Sequence, residues 1–570
     1  MSTAKNLLNR PRLTKIIPAV LTIALLTLPG VLSHSVVRGD TTTSSTEQLI
    51  TEYSAAYIGQ VNVAGLPAPT EGTLTPLSLP DLSVSTQAQS VTDPATIVTP
   101  GSQSFIHIVK NFAGTPGTNP NPCRCSPPDM GLAASSKFVV QMVNLAGTIW
   151  KNNGVKVTTF SLSDFWFLPV RGGPLGIGMS DPQVLYDAAA DRFYASIIDT
   201  FDVNRVNFAV TATNDPTGAW FIYRVIANCN PVTPYSNCSP ASSNTLPDQP
   251  YIGYSSDKFL IAVNDFDTTS GLFIGAQYWI LNKAEMLSGC TAPTSCPGGR
   301  NIDAVTNLVT TTNNFWAIRP AQHLSTTSTA YMAENCLTLA GAFITNACFG
   351  TPAVPPGSGG INVFKITGTP PSATTVMVTT VPVAQMSFPG RADQPGNPAS
   401  LGTNDALRMQ SVVWRNNVLW TASHEGCTPT GDSARTCARL DQIDTTTLPA
   451  CPACMANQDF DLGFFGAYVF YPALSTDSSN NLVLLYGHSS LSLFPTLEVT
   501  GQLATMPSAT LARSVLLIAG TAADLSTRWG DYFWAATDPA TPNTFWVSGE
   551  YRTVSLFQGW STQVGEISFQ

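Results

Sequence analysis

Charge is what this 570-residue sequence has least of. Only 11% of its residues are Asp, Glu, Lys or Arg, against a usual share of about 25%. Ser, Thr, Asn and Gln must therefore supply much of the polar surface. The balance is acidic, with 36 Asp and Glu against 27 Lys and Arg and a formal charge of −9. Lys and Arg cluster nowhere beyond the N-terminus, and a nucleic-acid partner, which needs a basic footprint, is excluded. The sequence has no G-x-S-x-G, phosphate loop or dinucleotide fingerprint, so nucleophile-elbow hydrolases, nucleotide enzymes and dehydrogenases lose their usual support. His424-Glu425 lacks the second His of a zinc-protease helix. Cys451-Pro-Ala-Cys454 lacks the second pair, or the nearby His, that zinc would need. Helical patterning is also scarce, and only Asn282–Leu287 reads as a helix.

What is present begins with an address. Lys5, Arg10, Arg12 and Lys15 precede the apolar segment Ile16–Leu28, which Pro29-Gly30 ends, and Ser33-His34-Ser35 offers small residues for cleavage. Thirteen apolar residues are too few for a spanning helix, which needs about 20. Residues 1–35 read as a signal peptide, with an uncleaved anchor as the alternative. The mature chain is expected outside the cell, secreted or at its surface, with no stable membrane span. Twelve cysteines agree, falling as near neighbours at 123/125, 229/238, 290/296, 336/348, 427/437 and 451/454. Such pairs read as disulfides clipping loops in an oxidising compartment. A bridge across the single residue between Cys123 and Cys125 is strained, and its pairing stays open here.

Residues 36–100 are rich in Thr, Ser, Pro and Ala and read as a flexible linker, with a helical look only at Glu47–Gln60. From residue 101 the chain reads as one all-β domain. Gly and Pro together make about 15% of the sequence, above the usual ~12%, which suits many short strands and turns. Seven segments share one design: a polar or Asp residue opens an apolar run, a short turn follows, and a second apolar run closes it. They begin near Asp129, Asp181, Asp248, Pro320, Leu407, Phe470 and Asp531. D-P-Q-V-L-Y-D-A-A-A-D-R-F-Y-A-S (181–196) and D-Q-P-Y-I-G-Y-S-S-D-K-F-L-I-A-V (248–263) are the clearest. Repeats of this size with several strands each predict a seven-bladed β-propeller of four-stranded antiparallel blades. Ser104–Phe112 and Val564–Phe569 are expected to pair and close it. A pair of β-sandwiches is the alternative.

The combination P-P-D…V-V-Q-M-V-N (127–144), D-P-Q-V-L-Y-D…D-R-F (181–193), N-D-P-T-G (214–218), L-V-L-L-Y-G-H-S-S (482–490) and R-W-G-D-Y…D-P…F-W…E-Y (528–551) resembles large secreted bacterial propeller proteins. These are grouped loosely with sialidase-like, Asp-box-related propellers, most of them without an assigned reaction. The resemblance spans residues 104–570. The Asp-box hairpin itself is only hinted at by Ser475-Thr476-Asp477, and neither three substrate-clamping Arg residues nor a Tyr/Glu nucleophile pair can be assigned by motif.

In a propeller the residues opening each inner strand ring one mouth of the central channel. That ring would hold Asp129, Asp181, Asp248 and Asp531, joined by Arg408, Arg528 and His323. Such carboxylates could bind calcium, the one cofactor the pattern raises. They could act as acid and base on a sugar, or cap their turns and pair with Arg408 and Arg528. Asp265/Asp267 and Asp459/Asp461 place two carboxylates on one face of an extended segment and read as solvated loop acids. Trp279, Trp316, Trp414, Trp420 and Trp534 read as core between blades. The functional expectation is a monomeric extracellular module that binds a carbohydrate or protein through its channel-mouth loops. The alternative is a sialidase-like glycoside hydrolase using the carboxylates of the ring.

Overall fold

The computed structural model describes residues 45–570 apart from 71–76, 79–93, 119–120, 122, 124, 169–177, 201–203, 228–244, 269–272, 290–300, 308–314, 338–358, 404–406, 449–454, 527 and 557–558. The expected signal peptide, and the cysteine pairs 229/238, 290/296 and 451/454, lie outside the described residues. The described chain is nearly all β, with two short helices, Leu162–Trp166 and Lys283–Ser288. The second matches the helix read from the sequence, and Asn282 caps it by accepting from the Glu285 amide at 3.3 Å. No described helix is long and apolar enough to cross a membrane.

Among the described residues the strands form seven antiparallel meanders of four. Their first strands are Gly131–Ala134, Met179–Asp187, Thr245–Tyr254, Arg319–Pro320, Met409–Arg415, Tyr468–Thr476 and Trp534–Thr537. Each begins within a few residues of a segment start read from the sequence. Each first strand packs beside the next, and the seventh beside the first. Met179–Asp187 is buried at every position but Tyr186, so its side chains are covered on both faces of the sheet. That is why these segments read as apolar runs rather than as clean alternation. Among the described residues no sheet closes on itself.

The seventh meander draws on both ends of the domain. Trp534–Thr537, Thr544–Arg552 and Trp560–Phe569 supply three strands, and Ile106–Ala113 pairs antiparallel with the third, as expected.

The linker expectation fails where the structure describes that stretch. Ile50–Asn62 is a 13-residue strand lying between Ala219–Ile226 and Ile302–Asn307, the outer strands of the second and third meanders. It fuses them into one larger sheet. Ser45–Glu47 pairs with the outer strand of the fourth meander, and Thr96–Val98 with that of the fifth. The physical reason is edge coverage, because an outer strand presents a row of unpaired N–H and C=O groups that an extended segment can satisfy. Tyr53 adds a hydroxyl that accepts from the Ile226 amide at 2.8 Å, and Tyr57 meets Tyr223 edge-on at 5.5 Å.

Cys427 and Cys437 are bridged, as are Cys123 and Cys125. Cys336 is also disulfide-bonded, while its expected partner, Cys348, lies outside the described residues. The five named tryptophans are all buried.

A candidate active site at the starts of the first strands

One local device recurs where the first strands begin. Asp129, Asp181, Gln249, Leu407 and Tyr471 all have positive φ, between +47° and +60°. Pairing slips by a bulge between Ser180 and Gln183, Asp248 and Tyr251, Met409 and Ser411, and Phe470 and Ala473. Three of the bulges hold a proline, at 182, 250 and 472. Proline has no N–H to give a ladder, so a bulge is one of the few places inside a sheet that admits it. Left-handed backbone at a non-glycine residue is strained, and such strain concentrates at functional sites.

The four predicted aspartates form one electrostatic group. Asn144 links the first two. Its amide donates to Asp129 Oδ2 at 2.6 Å, and its Oδ1 accepts from the Asp181 amide at 3.1 Å and Ser180 Oγ at 3.3 Å. Asp129 is fully buried, and its Oδ1 has no hydrogen-bond partner. Burial, then the charges of Asp181 and Asp531, push its pKa well above the usual carboxylate range. Asp181 accepts from Ser180 Oγ at 2.7 Å and from the Tyr532 hydroxyl at 2.5 Å. Its pKa is raised by burial and by Asp531. Asp248 is intermediate in exposure as a residue, and desolvation of its carboxyl, with Asp181, lifts it to about 7 against the pull of Arg408. Asp531 is the ion-paired member, held by Arg528 and, at 3.9 Å, by Arg408.

The loop that carries Arg528 and Asp531 is itself anchored. Glu550 accepts from the Gly530 amide at 2.9 Å, and Arg552 pairs with Asp524 at 2.6 Å and with Glu550 at 3.3 Å. Burial raises Glu550 to about 8 despite Arg552.

Two groups that the sequence reading missed stand beside the aspartates. Arg319 lies over Tyr251 at 4.2 Å, with Trp534 at 5.4 Å and Tyr532 at 6.0 Å. Burial lowers its pKa, and its Nη1 has no hydrogen-bond partner. Tyr532 is the other, through its bond to Asp181. Arg319 opens the first strand of the fourth meander and Tyr532 lies just before that of the seventh, but their contacts cross between meanders, and no sequence spacing reports that.

His323 does not join the group. Its Nε2 accepts from the Tyr331 amide at 3.2 Å, so Nδ1 carries the proton and donates to the carbonyls of Tyr254 and Ala321. The ring stacks with Tyr331 and lies tilted against Trp414. Burial lowers its pKa to about 4, and it is a neutral structural imidazole. The turn-cap reading fits other aspartates better. Asp187, Asp477 and Asp538 each accept from two backbone amides of their own turns.

The expectation of solvated acids is corrected at Asp265 and Asp461. Asp265 is wholly buried, and neither of its oxygens has a hydrogen-bond partner. Asp459 and Asp461 face Arg439 across a strand pair. Arg439 pairs with Glu425 at 2.8 Å, with Asp441 at 3.3 Å and with Asp459. A guanidinium inside the sheet is what draws these carboxylates in. Among the described residues no group of three or more His, Cys, Asp or Glu side chains is disposed to hold a metal ion.

The chain matches no protein-family profile, and no curated protein matches it. Among solved structures it is similar to an endosialidase of phage phi92, with 6% identity, 67% of this chain and 66% of that one covered, and a TM-score of 0.36. The chain thus spans just under two thirds of the endosialidase. It is also similar to the microbial sialidase Hz136, with 9% identity, 75% and 73% covered, and a TM-score of 0.32. An α-L-arabinofuranosidase from Fusarium graminearum shows 9% identity, 85% and 98% covered, and a TM-score of 0.32. Likenesses of that size fix neither a blade number nor an activity.

Proposed function

We propose that the seven meanders are the blades of a seven-bladed β-propeller that is exported and cleaves a glycosidic bond of an extracellular glycan. The disulfides support the extracellular part, since such bonds persist in oxidising compartments. One observation carries the enzymatic part: two carboxyls of one electrostatic group stand in different surroundings, Asp248 desolvated and lifted to about 7, Asp531 ion-paired with two guanidiniums. Glycoside hydrolysis needs that division, with one carboxyl giving a proton to the leaving oxygen and an ionised one acting from the other side. Asp248 is assigned as the general acid and Asp531 as the carboxylate. Asp129 and Asp181 hold the pair electrostatically, and Tyr251, Tyr532 and Arg319 wall the site.

Hydrolysis of a panel of aryl glycosides tests this reading. Asp248→Asn is expected to lower kcat/KM by about 10²–10⁴-fold with little change in Tm. The wild-type rate should fall as pH rises past about 7, where the acid loses its proton. Retention of glycans on an array without turnover of any substrate would instead favour a carbohydrate-binding module.

A further inference from the structure

The same first strands that begin at the aspartates end at a second site. Asp181 and Asp187 share one strand, and Asp248 and Tyr254 another, each pair six residues apart, up to about 20 Å at ~3.3 Å per residue. Around those far ends lies a cavity of about 300 Å³, walled by Tyr186, Tyr254, Leu324 and Pro539, with Asp187 and Arg415 among its polar groups. That is the small end of the range for ligand pockets. The strand ends of several meanders contribute, so the cavity belongs to no single sheet.

Its charges are unequally matched. Asp187 is committed, ion-paired with the buried Lys283 and accepting from the amides of Ala189 and Ala190. Arg415 is not. It makes no ion pair among the described residues; one amine donates to the Thr476 carbonyl at 3.1 Å, and its Nε has no partner. The carboxylate that acts on it electrostatically, Asp477, is occupied by its own turn, accepting from Ser479 and Asn481. Burial lowers the pKa of Arg415, as expected of a cation that has lost water without gaining a counter-ion. A half-buried guanidinium with unused donors beside an open cavity is matched by a planar or tetrahedral oxyanion, which takes two N–H bonds at once.

We infer that this cavity is a binding site for a small oxyanion-bearing molecule, a carboxylate, phosphate or sulfate, seated on Arg415 and covered by the rings of Tyr186 and Tyr254. The site is separate from the aspartate group and does not depend on its chemistry.

Calorimetric titration of the full chain with inorganic phosphate, sulfate and glucuronate, with glucose as the uncharged control, tests it. At least one anion is expected to bind with a Kd of about 1 mM or tighter, and glucose not to bind there. Phosphate and sulfate without glucuronate would identify an inorganic-type ligand; the reverse would identify a sugar carboxylate. Arg415→Met should weaken binding by about tenfold or more through loss of the charge-assisted bonds. Ala189→Trp, at an exposed residue of the rim, should block the cavity while leaving Arg415 in place, and decides the matter if the first variant is unstable. Asp248→Asn should bind as the wild type does. No anion binding below about 10 mM, or binding unchanged in Ala189→Trp, overturns the assignment.

Discussion

Asp531 already has what a carboxylate of the aspartate group would seek from a cation: two guanidiniums, from Arg528 and Arg408. Asp129 and Asp248 are driven toward the neutral form, which is a poor ligand for a hard ion. Calcium or EDTA is therefore expected to leave the melting temperature unchanged. A calcium-dependent rise that Asp181→Ala abolishes would contradict this and return the group to metal binding. The sequence marked these aspartates because each opens a recurring apolar run. It gave no sign of Arg319, Asn144 or the Tyr532 hydroxyl, since their roles come from contacts between meanders. His323 misled for a related reason: position placed it at a strand start, but its bonds to the Tyr254 carbonyl and the Tyr331 amide are local satisfaction of a buried ring.

At the scale of strands, the repeat was legible because sheet hairpins are local. Phe470–Gly487 and Asp181–Ser196 announce themselves through a run, a turn and a second run. Ile50–Asn62 could not, because its partners, Ala219–Ile226 and Ile302–Asn307, are far along the chain and its composition is that of a linker. Residues 47–60 even suggested a helix. Removing residues 45–62 is expected to uncover the edges of the second and third meanders. Scanning calorimetry should then show a lower Tm, and light scattering should show self-association that grows with concentration. An unchanged Tm with a monodisperse product would mean that the strand merely decorates the edge.

Across the whole molecule, buried carboxyls set the response to pH. Asp248 and Asp441 are raised to about 7 and Glu550 to about 8, each chiefly by burial. The unfolded chain releases these protons near pH 4, so between about pH 4 and pH 8 the folded chain binds more of them, and stability falls as pH rises. Asp191 and Asp432 act oppositely, being held low by Tyr186 and Arg435 respectively. Their contribution is present above about pH 4 and is lost in stronger acid. A Tm maximum is therefore expected in mildly acidic buffer. Glu550→Gln should flatten the decline toward neutral pH, and a wild-type Tm that climbs from about pH 5 to about pH 8 would refute this account.

The seventh meander sets the timetable on which the protein can be made. Lys110 and Glu566, which pair across its last two strands, are 456 residues apart. At roughly 5–20 residues per second, a synthesising chain needs on the order of 20–90 s to bring the second strand into existence after the first. Throughout that interval Ile106–Ala113 has no mate within its own molecule, and any other copy nearby offers the same sticky edge. Yield should consequently depend on how thinly nascent chains are spread, with slow expression giving more usable protein than fast.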